Sequence, residues 1–383
     1  MEAVANDERA AQPNHRSQSG YHETELGLVP LDWGIKCVED VADITTGGRN
    51  TQDRVEDGLY PFFVRSQKVE RINSYSFDGE GVLTAGDGVG TGKIFHYIAG
   101  KCDIHQRVYL IHNFGDDLCG RYFYRYFAEN FYNRIMQMTA KSSVDSVRRE
   151  MIARMPILLP PVKEQHAIAE ALSDADALIE GLEKLIAKKR LIKQGAMQEL
   201  LTGKRRLPGF SGEWETKAIG QCLRIRHGKS QHEVSVADGP YPILATGGQI
   251  GTAKRPLYDK SSVLIGRKGT IDRPQYIEEP FWTVDTLFYS ELLAGNVARF
   301  FFYRFLLIDW YKFNEASGVP SLNARTIESI EISVPKPAEQ HAIASIISDL
   351  DSEISSCEAK LAKARQIKQG MMQELLTGRI RLV

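Results

Sequence analysis

The sequence predicts an α/β protein built twice: two homologous α/β lobes separated by two long antiparallel coiled-coil helices, related by an internal pseudo-twofold repeat. A close repeat, a loose repeat and a periodicity predict it. Residues 157–207 return without a gap as residues 332–382, with about 29 of 51 positions identical, among them EQHAIA at 164–169 and 339–344 and MQELLTG at 197–203 and 372–378. What precedes each copy is duplicated more loosely. Trp33 answers Trp214, Asp57-Gly58 answers Asp238-Gly239, Val82-Leu83 answers Val263-Leu264, Tyr124-Arg125 answers Tyr303-Arg304, and Val144 with Ser146 answers Val319 with Ser321. Through each close copy run apolar residues at alternating spacings of four and three, the pattern of a coiled-coil seam.

In chain order, residues 1–20 form a flexible N-terminal arm, 21–156 a first lobe, 157–206 a central helical segment, 207–331 a second lobe and 332–383 a C-terminal helical segment. The arm is polar, with Gln, Asn, Ser and Pro and no apolar run to fold around. Each lobe mixes strand-like runs (81–84 and 107–112; 262–265 and 286–290) with one aromatic, helix-like stretch (122–138; 297–312). The first seam reads Ile168, Leu172, Ala175, Ile179, Leu182, Ile186, Lys189, Lys193, Ala196, Leu200. The second reads Ile343, Ile347, Leu350, Ile354, Cys357, Leu361, Ala364, Lys368, Met371, Leu375. Pro160, Pro161, Pro335 and Pro337 prepare the helix starts, and Gly203 and Gly378 stand where each helix should stop. At 1.5 Å per residue each helix is about 58 Å long.

Charge decides how the helices pair. The first half of each is acidic (Glu164, Glu170, Asp174, Asp176, Glu180; Glu339, Asp349, Asp351, Glu353) and the second half basic (Lys188, Lys189, Arg190, Lys193; Lys363, Arg365, Lys368). That polarity suits each helix dipole. Packed parallel, like would face like; packed antiparallel, the acidic end of one helix lies beside the basic end of the other, and the lobes stand at opposite ends of one rod.

At 383 residues, 43% hydrophobic and 25% charged, the composition is that of a globular protein of two to three domains. A net charge of −1 gives no compositional sign of a nucleic-acid partner, so any basic surface must come from local placement of Lys and Arg. Five scattered cysteines without a CxxC pair point to a reducing, cytoplasmic setting and away from a zinc knuckle. The most apolar run, 300–308, is too short for a membrane span and contains Arg304.

No enzyme motif survives inspection. The run 86–93 (GDGVGTGK) invites a phosphate-loop reading, but Asp87 stands where the first Gly is needed and Ile94 where Ser or Thr is. There is no Asn-Pro-Pro-aromatic or Asp-Pro-Pro-aromatic motif, as an amino-methyltransferase would carry. His227 and His232 have no third ligand nearby, so no metal site is expected. The repeated His166 and His341 read as residues of the helix-start surface. Turn-rich segments of both lobes, in contrast, gather Lys, Arg and amides at 46–51, 65–68, 85–93, 227–231, 246–254 and 266–270. Guanidinium forks, amides and backbone N–H groups in such loops suit phosphates and base edges.

Two divergent lobes, each followed by a nearly identical helix that opens on Pro160-Pro161-Val162-Lys163-Glu164-Gln165 or Pro335-Lys336-Pro337-Ala338-Glu339-Gln340 and closes on Leu-Leu-Thr-Gly at 200–203 or 375–378, resemble the DNA-specificity subunit of type I restriction-modification systems. The resemblance covers the chain from about Tyr21 onward and includes the run Ser317-Gly318-Val319-Pro320-Ser321-Leu322. It implies that each lobe is a target-recognition domain reading one half of a split, asymmetric double-stranded DNA sequence in phage defence. It further implies that the helices space the lobes and dock two modification subunits. Those partners would carry S-adenosylmethionine and methylate adenine, and a restriction subunit would add ATP- and Mg-dependent translocation and cleavage. This chain would be the non-catalytic recognition subunit, with no cofactor or metal of its own.

The DNA contacts expected are Arg49, Arg65, Gln67, Lys93, Gln106, Arg107 and Arg148 in the first lobe, and Lys229, Gln231, Thr246, Gln249, Arg267, Lys268 and Arg325 in the second. The expected partner contacts are Glu164, Gln165, His166, Glu339, Gln340 and His341. Two other readings compete: an adaptor whose twin lobes bind peptide or glycan, and an enzyme using the loop 86–93. Salt dependence of DNA affinity separates the first from the DNA reading, and a nucleotide-binding assay disposes of the second.

Overall fold

The computed structural model describes residues 20–138, 146–293 and 295–383; the expected arm up to residue 19 and the repeat match at Val144 lie outside them. The chain divides into two compact units, residues 1–181 with 361–383, and residues 182–360. Neither unit is a lobe with one whole helix; the first is built from two separate stretches, the second from one. The first contains the opening half of the central helix and the closing half of the C-terminal one, and the second contains the other halves.

The first unit runs β1 (Tyr21–Thr24), β2 (Gly27–Pro30), β3 (Gly34–Cys37), β4 (Asp43–Thr46), β5 (Tyr60–Phe63), β6 (Glu70–Ile72), β7 (Phe77–Ala85), β8 (Phe95–Ile104), β9 (Val108–His112), α1 (Gly120–Met138), α2 (Arg149–Ala153) and β10 (Pro156–Leu159) into α3 (Val162–Leu200). Its main sheet has the order β4-β9-β7-β8-β5-β6. All its pairs are antiparallel except β5 with β8. The aromatic stretch is one helix, as expected. Phe123, Phe127, Phe131 and Ile135, at steps of four, are all buried, and Phe95 of β8 meets Phe127 edge-on at 5.5 Å.

The second unit continues with β11 (Glu215–Ala218), β12 (Leu223–His227), β13 (Ser235–Val236), β14 (Tyr241–Ala245), β15 (Gly248–Ala253), β16 (Ser262–Gly266), β17 (Gln275–Ile277), β18 (Trp282–Thr283), β19 (Leu287–Leu292), α4 (Ala298–Phe305), α5 (Ala324–Ser329) and β20 (Glu331–Val334), then α6 (Pro337–Leu375). Its strands form the sheets β12-β19-β16-β17 and β13-β15-β14-β18, with β11 paired to β20. The stretch expected to be one helix over 297–312 is broken: α4 ends at Phe305 and a 3₁₀ turn follows at Trp310–Phe313. Trp310 is the cause. It folds back under the helix end, packs edge-on 5.1 Å from Phe305 and donates its indole N–H to the Phe305 carbonyl at 2.9 Å, burying a large ring that a continued helix would expose.

Both helices start later than the repeat itself. Residues 156–159 and 331–334 are strands, paired to β3 and β11; α3 begins just after Pro161, and α6 begins on Pro337 itself. The carbonyls of Pro161 and Lys336 accept the first helical bonds. At the far ends Gly203 and Gly378 adopt φ of 71° and 72°, and the amides of Arg205 and Ile380 reach back to the carbonyls of Glu199 and Glu374 at 3.2 Å, closing each helix as a left-handed cap. At Gly378 a Cβ would stand 2.6 Å from Pro30 Cγ.

The seam residues are buried or half-buried in both helices, while along the middle of each the residues between them are mostly exposed. Pairing is antiparallel in each unit. In the first, Lys368 Nζ lies 2.5 Å from Asp176, which Arg125 of α1 also holds at 2.5 Å. In the second, Lys189 meets Glu353 at 2.6 Å and Lys193 meets Asp351 at 2.5 Å, so the lysines that interrupt the apolar seam are neutralised by acids of the facing helix. Among the described residues no helix is long and apolar enough to cross a membrane.

The repeated Glu-Gln pair is what joins each lobe to the helices. The Glu164 carboxylate accepts a two-pronged Arg381 guanidinium (2.8 and 2.8 Å), the Leu382 amide (3.1 Å) and the Trp33 indole N–H (3.1 Å). Glu339 accepts the same fork from Arg206 (2.7 and 2.7 Å) and the Trp214 indole at 3.2 Å. Gln165 accepts from the Cys119 amide and donates to the carbonyls of Asp117 and Pro160. Gln340 accepts from the Val297 amide and donates to Asn296 and the Pro335 carbonyl. All four side chains are therefore buried and spent within the chain, which corrects their expected place on a partner-facing surface. Only His166 and His341 of that set are exposed.

Burial alone would raise the Glu164 carboxyl, but the bonds from Arg381, Leu382 and Trp33 more than offset it and hold the group below the usual carboxylate range. A depressed carboxyl stabilises the fold above its unfolded pKa and loses that contribution as pH falls through the lower folded value. The first unit is accordingly expected to lose thermal stability below about pH 4, the unfolded carboxyl value. Thermal melts between pH 3 and pH 7 check this: Glu164→Gln should lower the neutral-pH midpoint and flatten the acid limb.

Candidate nucleic-acid interface

In each lobe five chain segments converge on one backbone framework, and the two frameworks are hydrogen-bonded alike. In the first lobe Arg49 N donates to Ile104 O (3.2 Å), His105 N to Phe63 O (3.0 Å), Gly86 N to Arg107 O (2.8 Å) and Val147 N to Gly86 O (2.7 Å). In the second, Lys229 N donates to Thr283 O (2.8 Å), Val284 N to Leu244 O (3.1 Å), Arg267 N to Thr286 O (2.8 Å) and Leu322 N to Arg267 O (2.9 Å). Isolated bridges Asp87–Ser146 and Lys268–Ser321 complete the match. Gly47 and Gly228 are required by it, since a Cβ there would stand 1.9 Å from the Ile104 carbonyl oxygen and 2.0 Å from that of Val284.

On that shared frame the side chains differ. Arg49, Arg65, Asp87 and Arg107 of the first lobe occupy the places of Lys229, Thr246, Lys268 and Thr286 in the second. Arg65 Nη1 donates to Asp87 Oδ1 at 2.7 Å, and Arg107 Nη1 lies 3.7 Å from Asp87 Oδ2. Gln106 Nε2 donates to Asn50 Oδ1 at 2.6 Å. Arg49 is tied down more firmly: its Nε donates to Asp103 and its Nη2 to Ser74, both at 3.1 Å, so it fastens the loop as much as it offers a donor. Burial would raise the carboxyl of Asp103, but the hydroxyls of Ser74 and Ser76 and the Arg49 guanidinium bring it below the usual range. Burial, and the nearby Arg65, push the His105 imidazole down.

The other expected residues fall on or around this frame. Gln67 is exposed two residues beyond Arg65, and Arg148 is exposed one residue beyond Val147. Lys93 is exposed but leans over the Tyr132 ring of α1 at 4.8 Å, at the far end of its loop. In the second lobe Lys229 and Lys268 are exposed, while half-buried Arg267 donates to the Asp285 carbonyl at 3.2 Å. Thr246 is half-buried in the turn between β14 and β15, and Gln249 is exposed on β15. Half-buried Gln231 accepts the Val234 amide through its carbonyl, and exposed Arg325 lies on α5. The polar loops thus do assemble, and Lys93 and Arg325 stand at their margin. Sequence reasoning missed Asp87, Asn50 and Asp103. Asp87 was visible as the residue that spoils the phosphate-loop pattern and Asn50 lies within the polar run 46–51; nothing local marks Asp103.

The chain is similar to known proteins along most of its length. The sequence profile described as the type I restriction modification DNA specificity domain matches twice, over residues 30–189 and 211–366. The type I restriction enzyme EcoDI specificity subunit of Escherichia coli is 23% identical over 92% of this chain and 90% of its own length. The putative MjaX specificity subunit of Methanocaldococcus jannaschii is 24% identical over 95% and 97% respectively. Among solved structures, the S subunit of a type I restriction-modification system from M. genitalium superposes with a TM-score of 0.67 at 18% identity, covering 90% of this chain and 96% of that one.

Proposed function

As the chain belongs to the type I restriction-modification DNA-specificity family, we propose that each of its lobes reads one half of an asymmetric bipartite DNA target through the loop framework just described. The observation that carries the reading is the pair of matching backbone frameworks bearing unlike side chains: one mechanical solution, loaded with two sets of donors and acceptors, suits two different half-sites. Phosphate contacts from the exposed arginines and lysines would set register and supply the salt-dependent part of affinity, and base-edge contacts would discriminate.

The helices carry the complementary role. Exposed positions toward their C-terminal ends recur, Lys188, Arg190, Gln194 and Gln198 returning as Lys363, Arg365, Gln369 and Gln373, so two copies of one modification subunit can meet the same surface twice. His166 and His341 belong to that surface, whereas the Glu-Gln pairs behind them act by holding the lobes. S-adenosylmethionine, ATP and Mg would reside on the modification and restriction subunits, and this chain would choose the sequence without taking part in the chemistry. Among the described residues no group of three or more His, Cys, Asp or Glu could hold a metal ion.

Exchange of residues 21–156 for the equivalent lobe of a relative tests the proposal. Methylome sequencing of a host carrying the hybrid together with its modification subunits should show one half-site replaced and the other retained. A hybrid that changed both halves together would show that the lobes do not read independently.

A further inference from the structure

Asp87 stands where an anion is least expected on a surface that receives a polyanion. It is half-buried between two exposed arginines, with Arg65 Nη1 at 2.7 Å from Oδ1 and Arg107 Nη1 at 3.7 Å from Oδ2. Its backbone does not depend on those contacts: it bridges Ser146, and the preceding Gly86 is bonded on both sides, to Arg107 O and Val147 N. The carboxylate is therefore a fixed point and the guanidinium is what it fixes. A guanidinium held at one N–H edge keeps another edge free in a set plane, which is what two-pronged donation to the O6 and N7 of guanine requires. A phosphate contact requires no such aim, and a neighbouring negative charge weakens it. The second lobe has Lys268 and Thr246 at the corresponding places and lacks the device.

Resting on the reading of the lobes as DNA readers, we propose that Asp87 is a positioning residue for sequence discrimination: it aims Arg65 at a guanine within the half-site read by the first lobe. Asp87 itself touches no base. Discrimination at that one position is its effect, and the second half-site is read without it.

The test uses the full chain assembled with its modification subunits, selecting from duplexes randomised in both half-sites, for the native protein, Asp87→Asn and Arg65→Ala. The native complex should demand guanine at one position of the first half-site. Both variants should lose that preference by roughly 5- to 150-fold, the range for one two-pronged base contact. Asp87→Asn should keep or raise affinity for arbitrary DNA, having shed a negative charge, while Arg65→Ala lowers it; the second half-site, unchanged in both, reports that the chain is folded. Retention of the guanine preference in Asp87→Asn would overturn the assignment. So would loss of selection across the whole first half-site, which would make Asp87 a support of the lobe's fold. If the native complex selected no sequence at all, the DNA reading itself would fall.

Discussion

Alanine at Arg65, Gln67, Arg267 and Lys268 together is expected to abolish sequence-specific binding by the assembled complex and to leave weak, salt-sensitive association. Gln67 and Lys268 are exposed, Arg65 and Arg267 project from the matching frameworks, and the bonds that build those frameworks are backbone bonds that alanine retains. Removing a side chain that reads a base edge costs about 1–3 kcal/mol. Even at the low end, four such removals in two independent lobes approach about 4 kcal/mol, the lower bound of the gap that separates specific from non-specific binding in typical DNA readers. Titration of target and scrambled duplexes at one fixed salt concentration measures the ratio directly. An unchanged ratio would mean that discrimination resides outside these loops.

Replacement of Arg381 by Met should cost the first unit about 3–5 kcal/mol, because it leaves the Glu164 carboxylate, only 2% exposed, without its cation. The destabilisation comes from the stranded charge and much less from the ion pair itself. Replacing both partners, Glu164→Leu with Arg381→Met, should therefore recover at least half of it, the remainder reflecting the Trp33 indole and Leu382 amide left without an acceptor. Arg206→Met should do the same to the second unit through Glu339. Denaturant midpoints for the single and double variants decide the matter; an unmoved midpoint in Arg381→Met would refute the clasp.

The helices were legible because their information is periodic and local. Heptads fix the seam, prolines and glycines fix the ends, and the split of acid and base along each helix was enough to orient the pair before Lys189–Glu353 or Lys368–Asp176 could be seen. The Glu-Gln motif was misplaced for a definable reason. A motif repeated in two helices is equally compatible with two external partners and with two internal clasps, and the residues that decide, Trp33 and Arg381, lie 131 and 217 positions from Glu164. The loops show the same limit. Composition picked out the polar turns, but only the fold shows that Arg65 and Asp87, from two of them, meet each other and Arg107. The break in the aromatic stretch at Phe305 was hidden because helix periodicity does not register where a single Trp310 finds its hydrogen bond.

The division of the chain into residues 182–360 on one side and 1–181 with 361–383 on the other sets an order of completion during synthesis. The ribosome emits residue 181 some 180 residues before residue 361, a delay of roughly 10–40 s at ordinary elongation rates of about 5–20 residues per second. Throughout it the first-made lobe lacks Leu375 and Leu376, which share its core with Val29, Trp33, Ile168 and Leu172, and lacks the arginine that neutralises Glu164. The second-made unit, bounded by 182 and 360, has all its parts first. The half of the protein translated earliest is thus the last to close, and in the interval the apolar flank that Leu375 and Leu376 will cover stays open.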